Sequence, residues 1–259
     1  MKTTIISSIV FVLFASMLLT ACGVVAPLSE PTPTATLAAT STPEPTATPT
    51  PRPTPDYTAT VSFKSTSTAE AEFSVVKTEL DKLGVPMEDG QMAWQVNDVI
   101  PMSIDMHNSF SVLPLAEEKK FTDFILHSKL SWDSTSGLAG CGVIFRSEDD
   151  YDQGGRYAFY LMRLQFQPGW DMEYIKYGYT QEVLTGKTLF TDIINDEKWS
   201  SNEITLIVKG SEFTSYINGQ KMKTVSNTKL EKGIVGLVTW QESGVTDCEF
   251  SDNWLWVIQ

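Results

Sequence analysis

From about residue 102 to residue 258, apolar side chains return at every second position in a succession of short runs, and this period of two limits what the chain can fold into. In residues 121–132, FTDFILHSKLSW, Phe124, Leu126, Leu130 and Trp132 fall on one face. Asp123, His127, Lys129 and Ser131 fall on the other, which is the pattern of a half-buried strand and puts His127 at the surface. Similar runs cover residues 139–147, 156–166, 202–210, 212–217, 233–241 and 248–258. Asn218-Gly219 lies between two of them, and both residue types tolerate positive φ, so a type I′ hairpin is expected there. Many short strands with glycine-rich turns and no helix between them predict an all-β antiparallel sandwich or barrel.

Before these runs the period changes. In residues 67–83, Ala69, Phe73, Val76, Leu80 and Leu83 form one helical stripe. Ser67 with Glu70 has the spacing of a capping box, and Gly84 followed by Pro86 suits a helix end. The stripe is expected to pack on the domain behind it, with a short coiled-coil seam as the alternative.

The N-terminus carries an address. Lys2 precedes an apolar run from Ile5 to Leu19, followed by small residues, which is the plan of a secretory signal and too short for an ordinary membrane span. Leu19-Thr20-Ala21-Cys22 resembles the lipobox of bacterial lipoproteins. That resemblance implies cleavage before Cys22 and acylation of its sulfur, hence a membrane anchor and a place in the cell envelope, outside the plasma membrane. Removing residues 1–21 takes away only Lys2 among charged groups, so the formal charge of −13 becomes −14. Such an acidic chain lacks the basic footprint of a nucleic-acid partner.

Residues 27–55 hold nine of the 13 prolines, with many threonines, and contain nothing that could form a core. A disordered stalk is expected, reaching about 90 Å if extended at roughly 3.1 Å per residue. The organisation expected is a signal at 1–21, a linker at 22–56, a helical segment at 57–100 and a β-domain at 101–259.

The order of FxDFxL, GCGVIFRS, RYAFYLMRL, ITLIVKGSEFTSYINGQKM, KGIVGLVTW and a closing FSDNWLWV resembles the concanavalin A-like jelly roll of legume lectins, laminin G-like modules and several glucanases. The resemblance covers residues 101–259 and implies two packed curved sheets, with a concave face that often takes up glycans. Cys141 and Cys248 remain once Cys22 is set aside. They are expected to form a disulfide in an oxidising compartment, two buried thiols being the other reading.

Candidate chemistry is sparse. The Glu-x-Asp-x-x-Glu strand of glucanases is missing; the nearest pattern is Asp171 and Glu173, which share a face if they lie on a strand and otherwise read as a solvated acidic face. Asp149, Asp150 and Asp152 could supply oxygen ligands to Ca²⁺, although their spacing reads first as a polar turn, and no cofactor is expected. His107 and His127 lie in no zinc-site spacing. Sugar sites need an aromatic platform with fixed polar groups around it. The set expected to line the concave face is Arg146, Tyr157, Arg163, Trp170 and Tyr177, with Phe159 beside them. Trp240, Trp254 and Trp256 are expected in the core or covering a sheet. The reading is a lipid-anchored module that binds extracellular carbohydrate without cleaving it. Its alternatives are a protein-binding or structural surface module using Phe73, Val76, Leu80 and Leu83, and a glycoside hydrolase using Asp171 and Glu173.

Overall fold

A computed structural model of the 259-residue chain describes residues 66–165 and 167–259, with the side chains of 66–72 left aside. The signal, Cys22 and the Thr/Pro linker lie outside the described residues.

One helix, α1 (Thr66–Leu83), precedes fifteen strands: β1 (Gly90–Val96), β2 (Ile100–Ile104), β3 (Ser109–Pro114), β4 (Lys120–Phe121), β5 (Phe124–Ser134), β6 (Leu138–Ser147), β7 (Arg156–Leu164), β8 (Gln167–Lys176), β9 (Tyr179–Val183), β10 (Leu189–Phe190), β11 (Ser201–Lys209), β12 (Glu212–Ile217), β13 (Gln220–Ser226), β14 (Gly233–Gln241) and β15 (Thr246–Ile258). They form two antiparallel sheets. A seven-stranded sheet has the order β1-β15-β5-β11-β12-β13, with β2 also on β15. An eight-stranded sheet runs β10-β8-β7-β6-β14-β3, with β4 on β14 and β9 on β8. The expected antiparallel sandwich is the fold. It begins earlier than the sequence suggested, because β1 and the start of β2 lie before residue 101.

The main core fills the space between the sheets. Phe124, Leu126, Leu130, Trp132, Phe213 and Phe250 meet Val143, Phe145, Tyr157, Phe159, Leu161, Trp170 and Met172 there. A Cys141–Cys248 disulfide crosses the same layer, tying β6 of one sheet to β15 of the other, 107 residues apart in sequence. Closing a loop of that length contributes up to about 4.7 kcal/mol in the chain-entropy account.

The turns follow their residue types. Asn218 and Gly219 have φ of 49° and 74°, the two positive values that a type I′ turn requires. Helix α1 ends in a Schellman motif: Val85 N–H donates to Leu80 O at 2.9 Å and Gly84 N–H to Asp81 O at 3.1 Å. The helix lies on the outer face of the seven-stranded sheet, where Val76 and Leu80 pack with Ile125, Trp254 and Trp256. The helical stripe therefore binds its own domain. His127 lies in the same layer and is buried, contrary to the surface position expected. Its ring stacks on Trp254 at 5.0 Å, Nδ1 is 3.0 Å from Thr205 Oγ1, and burial lowers its pKa to about 4.

Candidate functional site

The outer face of the eight-stranded sheet carries a trough, and its depth follows from the sequence of β6. Two positions on that strand's outer face, Gly140 and Gly142, bear no side chain. They stand opposite Met162 and Tyr160 of β7 on one side, and Trp240 and Val238 of β14 on the other. Ala158 on β7 and Gly169 on β8 add further small positions. The result is a cavity of about 820 Å³, floored by Tyr160, Met162 and Trp240 and edged by the loop residues Asp152, Gln153 and Tyr177 and by Tyr179 at the start of β9. Tyr177 and Gly178 make the two-residue turn between β8 and β9, with φ of 56° and 74°, which presents Tyr177 and Tyr179 to solvent.

Five charged side chains line this trough, and three of them, Arg156, Asp171 and Glu173, rise from its strands β7 and β8. Arg156 and Tyr160 alternate along β7, and Asp171 and Glu173 along β8; Tyr160 pairs with Asp171, and Ala158 with Glu173. Arg156 is buried, donates from Nη1 to the Tyr151 carbonyl, and stacks on Phe110 with Cζ 4.5 Å from the ring centroid. That contact joins β7 to β3, three places away in the sheet. Asp171 is buried and accepts Thr188 Oγ1–H on Oδ2 at 2.9 Å; Glu173 accepts Thr180 Oγ1–H at 2.9 Å. Asp171 Oδ1 and Arg156 Nε have no hydrogen-bond partner among the described residues. Burial, reinforced by the charge of Glu173, raises the pKa of Asp171 to about 7. Burial also raises that of Glu173, against the opposing pull of the Thr180 bond and the Arg156 charge.

Of the five residues predicted to contact ligand, Tyr177 alone lines the trough. Tyr157 and Trp170 face the core. The Tyr157 ring packs on Phe145, Tyr174 and Phe213, and its hydroxyl donates to Asn227 Oδ1 at 2.7 Å; Trp170 meets Phe159 edge to face at 5.9 Å. Arg146 sits at a bulge, since Ile234 pairs with Ser147 while Gly236 pairs with Ile144, and its φ is 48°. The bulge turns its side chain inward, where the guanidinium donates to the carbonyls of Thr122, Leu230 and Gly210. Arg163 lies at the end of β7 and donates to the carbonyls of Ser134 and Asp196. Tyr157, Phe159, Leu161 and Arg163 thus share the core-side parity of β7. The alternate set, Arg156, Ala158, Tyr160 and Met162, faces the trough and was equally available in the sequence. Trp240, expected as core or cover, belongs to the trough.

The acidic loop at 147–155 is organised by its own backbone. Asp150 Oδ1 accepts the N–H groups of Asp152 and Gln153, Asp149 pairs with Lys120, and Glu148 accepts Gly155 N–H. Among the described residues no group of three or more His, Cys, Asp or Glu side chains is placed to hold a metal ion.

No protein-family model matches the chain, and no curated protein does. Solved structures of similar overall fold include carbohydrate binding module CBM66 from Bacillus subtilis, at 13% identity, 64% of this chain, 93% of that one and a TM-score of 0.47. They also include a Bacillus licheniformis beta-glucanase, at 10% identity, 54% of this chain, 69% of that one and a TM-score of 0.42. A Bacillus subtilis protein of unknown function with a galectin-like fold matches at 14% identity, 66% of this chain, 91% of that one and a TM-score of 0.45. Likeness at this level says nothing of ligand or activity.

Proposed function

We propose that this protein is a cell-envelope lipoprotein, anchored through Cys22, whose trough on the eight-stranded sheet binds an extracellular glycan. The observation that carries the reading is a trough with an aromatic floor and buried charged groups whose hydrogen-bonding capacity is only partly used. Sugars present C–H faces that stack on aromatic rings and hydroxyl edges that bond to fixed polar groups; Tyr160, Trp240 and Tyr177 supply the first, and Arg156, Asp171 and Glu173 the second. The Thr/Pro linker would give such a domain reach from the membrane, raising the effective concentration of site at an insoluble target.

A glycan array probed with the purified full chain tests the site. Binding that falls at least tenfold in Trp240→Leu and in Arg156→Gln supports it. Absence of binding, or binding unchanged in both variants, overturns it. Metabolic labelling with a fatty-acid analogue tests the anchor: label is expected on the wild type and lost in Cys22→Ser.

Hydrolysis is the second reading, and the same carboxylate pair favours it, since burial raises the pKa of both acids and a general acid must hold its proton near neutral pH. Release of new reducing ends from a bound glycan, abolished in Glu173→Gln, would select it over binding alone.

A further inference from the structure

We propose that the Asp171–Glu173 end of the trough recognises a free amino group, so that the preferred glycan carries an unacetylated amino sugar; this deepens the glycan-binding reading and rests on it. The inference starts from a charge imbalance. Two carboxylates lie two residues apart on the same face of β8, and neither forms an ion pair among the described residues. Asp171 is 2% exposed, and its Oδ1 has no hydrogen-bond partner among the described residues. The cation on the neighbouring strand, Arg156, pulls on Glu173 from beyond ion-pair distance, and its own guanidinium is held by the Tyr151 carbonyl and the Phe110 ring.

Each ligand class meets this arrangement differently. A uronic acid would bring a third carboxylate against the buried Asp171 and the half-buried Glu173, in a protein whose formal charge is already −13. A neutral sugar would satisfy hydrogen bonds but bring no positive charge to Asp171, which is buried and forms no ion pair among the described residues. A metal ion would need further oxygen or nitrogen ligands, and no third acidic, His or Cys group is in place among the described residues. An ammonium group brings one positive charge and three N–H donors, enough for Asp171 Oδ1, an oxygen of Glu173 and one more acceptor. A neutral amine meeting protonated Asp171 reaches the same pair by taking the Asp171 proton onto its nitrogen, and no proton leaves the site. Ala158, opposite Glu173, leaves room beside the acids, and Tyr160, opposite Asp171, offers the sugar ring an apolar surface.

The test is calorimetric titration of the full chain with a glucosamine tetramer, its fully N-acetylated counterpart, a uronate tetramer and butylamine, at 0.15 M salt by choice. The amine-bearing tetramer is expected to bind at least tenfold more tightly than the N-acetylated one, and the uronate not to bind. Asp171→Asn should erase that preference, while Glu212→Gln, at an exposed acid on the other sheet, should keep it. The proposal is overturned by equal affinity for the two tetramers, by failure of the aminated one to bind, or by a preference that survives Asp171→Asn. Butylamine binding as tightly as the aminated tetramer would overturn the sugar assignment. Equal binding of both tetramers, lost in Trp240→Leu, would leave the glycan-binding reading standing while this inference fails. An array without any hits removes the broader reading as well.

Discussion

Tyr160 and Trp240 meet edge to face with ring centroids 5.7 Å apart, although β6 runs between their strands. They can meet because Gly140 and Gly142 place no side chain between them. A Cβ built at Gly140 would stand 2.5 Å from Trp240 Nε1 and 2.9 Å from the Leu161 carbonyl. Gly140→Ala is therefore expected to displace the indole, at a cost of about 1–3 kcal/mol from overpacking. Near-ultraviolet circular dichroism should change, and glycan affinity should fall in protein that remains folded. An unaltered aromatic spectrum would show that the indole was not held by the missing side chain.

Two buried groups give the stability opposite dependences on pH. Asp171 is raised from 3.8 to about 7, so its contribution is complete below pH 3.8 and lost as pH rises through 7. His127 is lowered from 6.5 to about 4, so its contribution is complete above pH 6.5 and lost as pH falls through 4. At about 1.4 kcal/mol per unit, they amount to roughly 4–5 kcal/mol for Asp171 and roughly 3–4 kcal/mol for His127 at most, and the two windows overlap. They largely offset each other in the wild type. Asp171→Asn should thus lose stability more steeply than the wild type as pH falls from 7 to 4, and His127→Phe less steeply. Urea midpoints measured across that range would separate the curves; three parallel profiles would contradict both assignments.

Strand positions and the fold class were legible in the sequence because period two survives wherever one face of a strand is less apolar than the other, as along residues 121–132. The face of β7 that meets the trough was not. Its seven residues from Arg156 to Met162 are all buried, so alternation separated two sets without saying which faced the core. Arg163 suggested an open face, but it lies at the strand end, where a long side chain reaches outward from the core-side set. Arg146 was misread for another reason: a bulge inserts one residue and reverses parity, and nothing in GVIFRS announces it. His127 looked exposed because its strand's second face is covered by a helix more than forty residues earlier, a tertiary contact that local pattern does not encode. The pair Asp171 and Glu173 was visible, and so was its shared face. What the sequence withheld was burial, which turns two acids in an acidic chain into a site.

Leu80 decides whether α1 serves its own domain or a partner. It is fully buried against Ile125, Trp254 and Trp256. Leu80→Ala should cost about 2–5 kcal/mol, as for other buried leucines. It should also shift tryptophan emission to longer wavelength as water reaches the two indoles. Phe73, 48% exposed on the same helix, should tolerate Phe73→Ala with a change under about 1 kcal/mol. A partner-binding helix would show the reverse: little effect of Leu80 on the isolated chain and a loss of association from Phe73.

Arg146 was a candidate ligand contact in the sequence and is an internal tie in the structure. Its guanidinium joins the Thr122 carbonyl before β5, the Gly210 carbonyl between β11 and β12, and the Leu230 carbonyl before β14, while resting over Phe213 at 5.3 Å. Asp123, 3.4 Å away, supplies the opposite charge and also accepts Gly210 N–H. Replacing the guanidinium by a methyl group takes the shared donor from three carbonyls and the counter-charge from Asp123, so Arg146→Ala should lose about 1–3 kcal/mol. Arg146→Lys keeps the charge but cannot reach three carbonyls from one planar group, and should lose part of that. In both variants the folded fraction should bind glycan with wild-type affinity, because the side chain lies on the far side of the sheet from the trough. Stability unchanged with affinity lost would return Arg146 to the binding site and require β6 to present it outward.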